Sequence, residues 1–165
     1  MPDSRGSEVD RTVRLAQDLL FFAYRDFTNA ADVLLEEIGL GRAHHRALHF
    51  IGGNPGMTVS ELLGILNITK QSLARVLGDL VERGLVAQAK GGADRRQRLL
   101  TLTETGADLE RRLFDRQKAR LAPAFEAAGP DAFAGFQAVM RAIMDPAARR
   151  LLDASPPGDK DRDVR

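Results

Sequence analysis

Apolar residues recur at steps of three and four early in the chain. Leu20, Tyr24, Phe27, Ala31, Leu34 and Ile38 fall on one stripe, and no proline or glycine interrupts residues 9–38. That period predicts a single long helix. Leu15, Leu19, Phe22 and Leu35 add a second flank. The stripe is then wider than one neighbouring helix covers, so part of it is expected to face a second subunit. Gly39 and Gly41 end the helix. Residues 42–52 form a short second helix carrying Leu48 and Ile51, and Gly52-Gly53-Asn54-Pro55-Gly56 breaks it.

Thr58-Val59-Ser60-Glu61 fits a capping box, in which hydroxyl and carboxylate satisfy free amides reciprocally. The third helix that it opens runs through Leu62, Leu63, Ile65 and Leu66. After a short turn Thr69 caps a fourth helix, with Leu73, Val76, Leu77 and Leu80 on its buried face. Gly84 supplies the left-handed residue that ends it. Residues 85–90 and 97–102 read as two short strands joined by a Gly91-Gly92-Ala93-Asp94 tip. Thr103 caps a long helix through Ala128, with a kink expected at Pro123. Gly129-Pro130 breaks it, a last helix runs to Leu152, and the polar tail from Ser155 is expected to be disordered. The class is mainly α with a small β-hairpin.

Composition narrows the chemistry. The chain has 165 residues, 44% hydrophobic and 28% charged, and no cysteine, which excludes disulfides and thiolate chemistry within it. No apolar run is long enough for a membrane span, and residues 1–10 lack the features of a secretory signal. A cytoplasmic protein without a membrane partner is the expectation. The formal net charge is only +1, yet residues 69–98 hold seven cations against three anions, leaving +4 in that stretch. A local basic patch on a nearly neutral chain suits a site-specific DNA binder.

Helix, tight turn, helix and hairpin together form a winged helix-turn-helix. The second helix of the pair must present base-reading groups on its first turn and outer face. Here those are Lys70, Gln71, Ser72 and Arg75. Gln pairs bidentately with adenine, Arg or Lys with guanine, and Ser72 reaches a base or a phosphate. The helix start at Thr69 aims backbone amides at a phosphate. On the hairpin, Arg95, Arg96 and Arg98 are candidates for a narrow, electronegative minor groove. Asp94 would be repelled by phosphates, so its expected task is to hold the wing in shape.

Asp94-Arg95-Arg96, followed by Leu99-Leu100-Thr101-Leu102-Thr103 and Gly106, resembles the wing signature of MarR-type regulators. Ile68-Thr69-Lys70-Gln71-Ser72-Leu73 and Leu80-Val81-Glu82-Arg83-Gly84-Leu85-Val86 are similar to that family's recognition helix and its exit. The likeness spans residues 9–152 in element order and is specific over 58–106. It implies a homodimer whose first and last helices interlock, placing two recognition helices on adjacent major-groove segments of double-stranded DNA. It further implies that Arg96 makes the minor-groove contact, that Asp94 supports the wing, and that a small-molecule effector releases the DNA. The implied organisation is a dimerisation helix (8–40), a DNA-binding lobe (42–102), further dimerisation helices (103–153) and a tail (154–165).

Three histidines, His44, His45 and His49, cluster on the second helix, and His45 with His49 stand at the i, i+4 spacing two metal ligands need. The plainer reading packs His44 beside Leu48 and leaves the others lining a pocket or the surface. An effector pocket using Tyr24, His45 and His49 is a further use of the cluster, and a metal sensor another. No cofactor is expected. Nucleophile elbows, phosphate-binding glycine loops and paired carboxylates are missing from the sequence, which argues against an enzyme. A winged helix serving only protein contacts would carry a neutral or acidic recognition face, the opposite of what stands here.

Overall fold

The computed structural model describes residues 4–91 and 97–154. Among these residues the chain forms seven helices and three strands. They are α1 (Ser4–Glu37), α2 (Arg42–Gly53), β1 (Met57–Thr58), α3 (Val59–Leu66), α4 (Lys70–Glu82), β2 (Val86–Lys90), β3 (Arg98–Leu102), α5 (Glu104–Ala128), α6 (Ala132–Ile143) and α7 (Pro146–Ala154).

The helix boundaries follow from local chemistry. Gly39, with φ +68°, ends α1, and Gly84, with φ +66°, follows α4. In each case the next amide reaches back five residues, Leu40 N–H to the Leu35 carbonyl at 2.9 Å and Leu85 N–H to the Leu80 carbonyl at 2.9 Å. This is the Schellman arrangement, and Leu40 and Leu85 are both buried behind it. Asn67 closes α3 in the left-handed region with φ +50°, a conformation its short amide tolerates.

The structure departs from the sequence pattern at several places, α1 among them, which begins at Ser4 and not at residue 9. A third strand, β1, pairs with β3, giving an antiparallel sheet of order β1-β3-β2 with Met57 opposite Leu100 and Val86 opposite Leu102. Two residues are too few to show a period. The expected last helix to Leu152 is two helices, broken at 144–145. There the Asp145 carbonyl accepts from Arg149 N–H at 3.1 Å and Pro146 takes the first helical position, where its missing N–H is harmless. Ala154, placed in the tail by the sequence, belongs to α7.

One core unites the lobe. Leu35, Leu48, Ile51, Leu62, Leu73, Leu80, Leu100 and Leu113 are fully buried, drawn from all of the first five helices and β3. Outside it the picture reverses. Residues 6–25 of α1 are all exposed within the chain, and α6 and α7 bury no residue. Leu20, Phe22, Phe133, Phe136 and Ile143 therefore stand uncovered.

Candidate nucleic-acid interface

The sequence pair Thr58 and Glu61 forms the capping box. Thr58 Oγ1 accepts from Glu61 N–H at 3.2 Å, and Glu61 Oε2 accepts from Thr58 N–H at 2.7 Å and from its hydroxyl at 2.9 Å. The backbone bond, then the hydroxyl bond, hold the Glu61 carboxyl below the usual glutamate range. Residues 67–69 turn the chain into α4, where Thr69 Oγ1 accepts from Ser72 N–H at 3.1 Å. Its hydroxyl donates to Ser72 Oγ at 2.8 Å, so Ser72 is engaged in the cap and keeps its own hydroxyl proton free.

The apolar stripe of α4 decides which side turns inward. Leu73, Val76, Leu77 and Leu80 face the core, and Lys70, Gln71, Ser72 and Arg75 face outward. Lys70, Gln71 and Arg75 make no hydrogen bond or ion pair among the described residues. They are available to a ligand outside the chain. On the sheet, Arg98 of β3 stands opposite Lys90 of β2, both exposed, at the end of the ribbon farthest from Val86 and Leu102. Asp94, Arg95 and Arg96, singled out by the sequence, lie outside the described residues.

Sequence reasoning missed what grips α4 from behind. The Arg83 guanidinium donates from Nη1 to the Ile38 carbonyl at 2.6 Å and from Nη2 to the Gly39 carbonyl at 3.3 Å. It thereby satisfies free carbonyls at the end of α1. His44, expected to pack beside Leu48, makes two polar contacts that the sequence did not announce. Its Nδ1 accepts from Gly41 N–H at 3.1 Å, and its Nε2 lies 3.1 Å from Asp79 Oδ2 on α4. The bonds that reach α4 span 35 to 45 residues, and no local pattern announces them.

The other two histidines, with Tyr24, line a cavity of about 190 Å³ between α1, α2 and α5. Arg46 Nη2 donates to the Tyr24 hydroxyl at 2.6 Å, and both residues line the cavity. Arg42 is committed to Asp32, with Nη2 2.6 Å from Oδ2. Burial, reinforced by His49, pushes the His45 pKa down and favours its neutral ring. His49 Nδ1 lies 3.7 Å from Glu110 Oε1 of α5. The sequence-predicted trio Tyr24, His45 and His49 is thus brought together. Among the described residues no three His, Asp or Glu side chains converge as a metal-holding group. No helix there is long and apolar enough to cross a membrane.

A capped helix pair, an outward polar face on the second helix and a following ribbon define a winged helix-turn-helix protein. Residues 38–97 match the MarR family. Over 142 residues the chain is 51% identical to the HTH-type transcriptional regulator PetP of Rhodobacter capsulatus, covering 86% of each. The chain belongs to the MarR family and is a transcriptional regulator, not an enzyme. Its fold is similar to that of Streptococcus pneumoniae FabT, solved in complex with DNA, with a TM-score of 0.68 and 18% identity, covering 78% of this chain and 92% of that one. It is also similar to NadR, solved with 4-hydroxyphenylacetate, with a TM-score of 0.65 and 21% identity over 73% and 86% of the two chains.

Proposed function

We propose that this regulator binds a pseudo-palindromic operator as a homodimer in the cytoplasm and is released by a small molecule. The observation that carries the DNA reading is the outer face of α4, where Lys70, Gln71 and Arg75 stand exposed with no partner among the described residues. Thr69, Lys70, Gln71, Ser72 and Arg75 are assigned to the major groove. Arg95, Arg96 and Arg98 are assigned to the minor groove, with Asp94 holding the wing. FabT, solved with DNA, supports this use of the fold.

The dimer rests on the uncovered faces of α1 and α6, with Leu20, Phe22, Phe133, Phe136 and Ile143 exposed in the single chain. Soluble monomers rarely leave so many large apolar side chains in water along two helices. The domain division accords with this: 8–40 and 103–153 for dimer contacts, 42–102 for DNA. For the effector, the cavity holding Tyr24, His45 and His49 is the assigned site, supported by the ligand in NadR. Arg46 is its one arginine that no carboxylate pairs among the described residues, which suits an anion.

Selection of genomic fragments by the purified protein tests the DNA reading. A two-fold motif, with half-sites about one helical turn apart, is expected. A recovered motif without two-fold symmetry would count against dimeric docking. Titrating 4-hydroxyphenylacetate into the protein–DNA complex tests the cavity, with release abolished by Arg46→Ala as the expected result.

A further inference from the structure

Asp79 is oddly placed for a helix that enters DNA. It stands one turn after Arg75 on α4, and a carboxylate there opposes phosphates. The structure turns it towards α2, to His44. The direction of that bond is set by the ring's other nitrogen. Nδ1 accepts from Gly41 N–H at 3.1 Å, so it carries no proton, and the proton sits on Nε2, which donates to Asp79 Oδ2. One turn further on, at the C-cap of α4, Arg83 holds the carbonyls of Ile38 and Gly39. Asp79 of the recognition helix and Arg83 at its C-cap thus grip both sides of the bend between α1 and α2.

Neither His44 nor Arg83 is among the groups assigned to DNA, yet each fixes the roll of α4 about its axis. Side-chain tips lie about 5–6 Å from a helix axis, so a roll of about 10° displaces them by about 1 Å. That displacement is enough to stretch a base contact of about 2.9 Å out of hydrogen-bonding range. The same turn of α2 that carries His44 also carries Arg42, His45 and Arg46, all on the cavity wall. We propose that His44 is a positioning residue, whose bond to Asp79 sets the pose of the recognition helix and makes that pose follow α2. This rests on the reading of α4 as the DNA-contacting helix.

The test is a double-mutant cycle on the full chain, using a fluorescent duplex bearing the motif that the wild type selects. Affinities are measured for the wild type, His44→Ala, Asp79→Ala, Asp79→Asn and the double alanine variant, at equal folded concentration set by circular dichroism. His44→Ala and Asp79→Ala are each expected to weaken binding roughly three- to tenfold, the scale of one hydrogen bond. The double variant should be no weaker than the weaker single one. Asp79→Asn should stay within about twofold of the wild type, because its amide oxygen still accepts from Nε2. The salt dependence should be unchanged, since no phosphate contact is lost. Should His44→Ala fail to fold, the two Asp79 variants carry the test.

Unchanged affinity with only a lowered melting temperature would reduce His44 to a stabilising role and overturn the proposal. Equal tightening by Asp79→Ala and Asp79→Asn would show that the carboxylate merely opposes DNA, and overturn it too. A ¹⁵N-detected His44 ring with its proton on Nδ1 would remove its geometric basis. A wild type that selects no duplex at all would instead sink the DNA-reading assignment itself, and this proposal with it.

Discussion

The backbone of Gly106 passes so close to Leu85 that a Cβ at position 106 would lie 1.9 Å from the Leu85 carbonyl oxygen. Thr103 sets this approach: its N–H donates to that same carbonyl at 3.1 Å, and its hydroxyl donates to the Gly84 carbonyl at 2.6 Å. The first turn of α5 is pressed against the chain as it leaves α4. Gly106→Ala must push that turn away, and a loss of about 3 kcal/mol is expected, measured by urea denaturation. A loss below about 0.5 kcal/mol would mean that the contact yields freely.

The Thr58–Glu61 box gives a second stability prediction. Thr58→Ala should cost about 1 kcal/mol. Its pH dependence has a defined sign. Glu61 is depressed in the folded chain by the Thr58 bonds, so its contribution is present above the ordinary glutamate pKa, roughly 4.3, and is lost as pH falls through the lower folded value. Denaturation midpoints of Glu61→Gln and wild type should therefore converge in acid and separate towards neutrality.

His45 acts in the same direction by another route. Burial lowers its folded pKa, and the unfolded chain takes up a proton first as pH falls below roughly 6.5. Stability should decline between that value and the depressed one. His45→Gln should flatten the slope in this window, as read from melting temperatures across roughly pH 5 to 8. Parallel slopes in the two proteins would show that burial does not govern this ring.

Replacing Gln71 or Arg75 with alanine should cost roughly 1–3 kcal/mol of operator binding and relax preference at particular base pairs. Arg96→Ala should weaken binding with altered preference confined to flanking A·T-rich steps. Anisotropy on matched and mismatched duplexes separates the two patterns. Identical effects on every duplex would leave only phosphate contacts.

Leu20 sits on the uncovered stretch of α1. Leu20→Glu is expected to yield monomer or aggregate, and the wild type is expected to sediment as a dimer at micromolar concentration. A wild type that sediments as a stable monomer would refute the dimer assignment.

How far the sequence foretold these features depended on the range of the interaction. Caps at Thr58, Thr69 and Thr103, the glycine after α4 and the buried face of α4 are settled within a few residues, and their side chains state them directly. The Asp145-Pro146 signal is just as local, but a continuous apolar pattern from Phe133 to Leu152 masks it. Strand β1 owes its existence to Leu99 and Leu100, some forty residues away. The His44–Asp79 and Arg83–Ile38 bonds arise only once α1, α2 and α4 are packed together. Of the candidate cavity, Tyr24, His45 and His49 were legible as residue types, whereas Arg46 gained its place through the crossing of α1 and α2.

The cavity also has an optical consequence. The chain contains one tyrosine and no tryptophan, and that tyrosine is Tyr24, its hydroxyl held by Arg46. Tyrosine emission from each protein chain therefore originates at a single ring beside the proposed effector site. A compound displacing Arg46 from that hydroxyl alters the surroundings of the only strong native fluorophore. With excitation at wavelengths that the eight phenylalanines do not absorb, occupancy by a non-phenolic compound can thus be followed without a label.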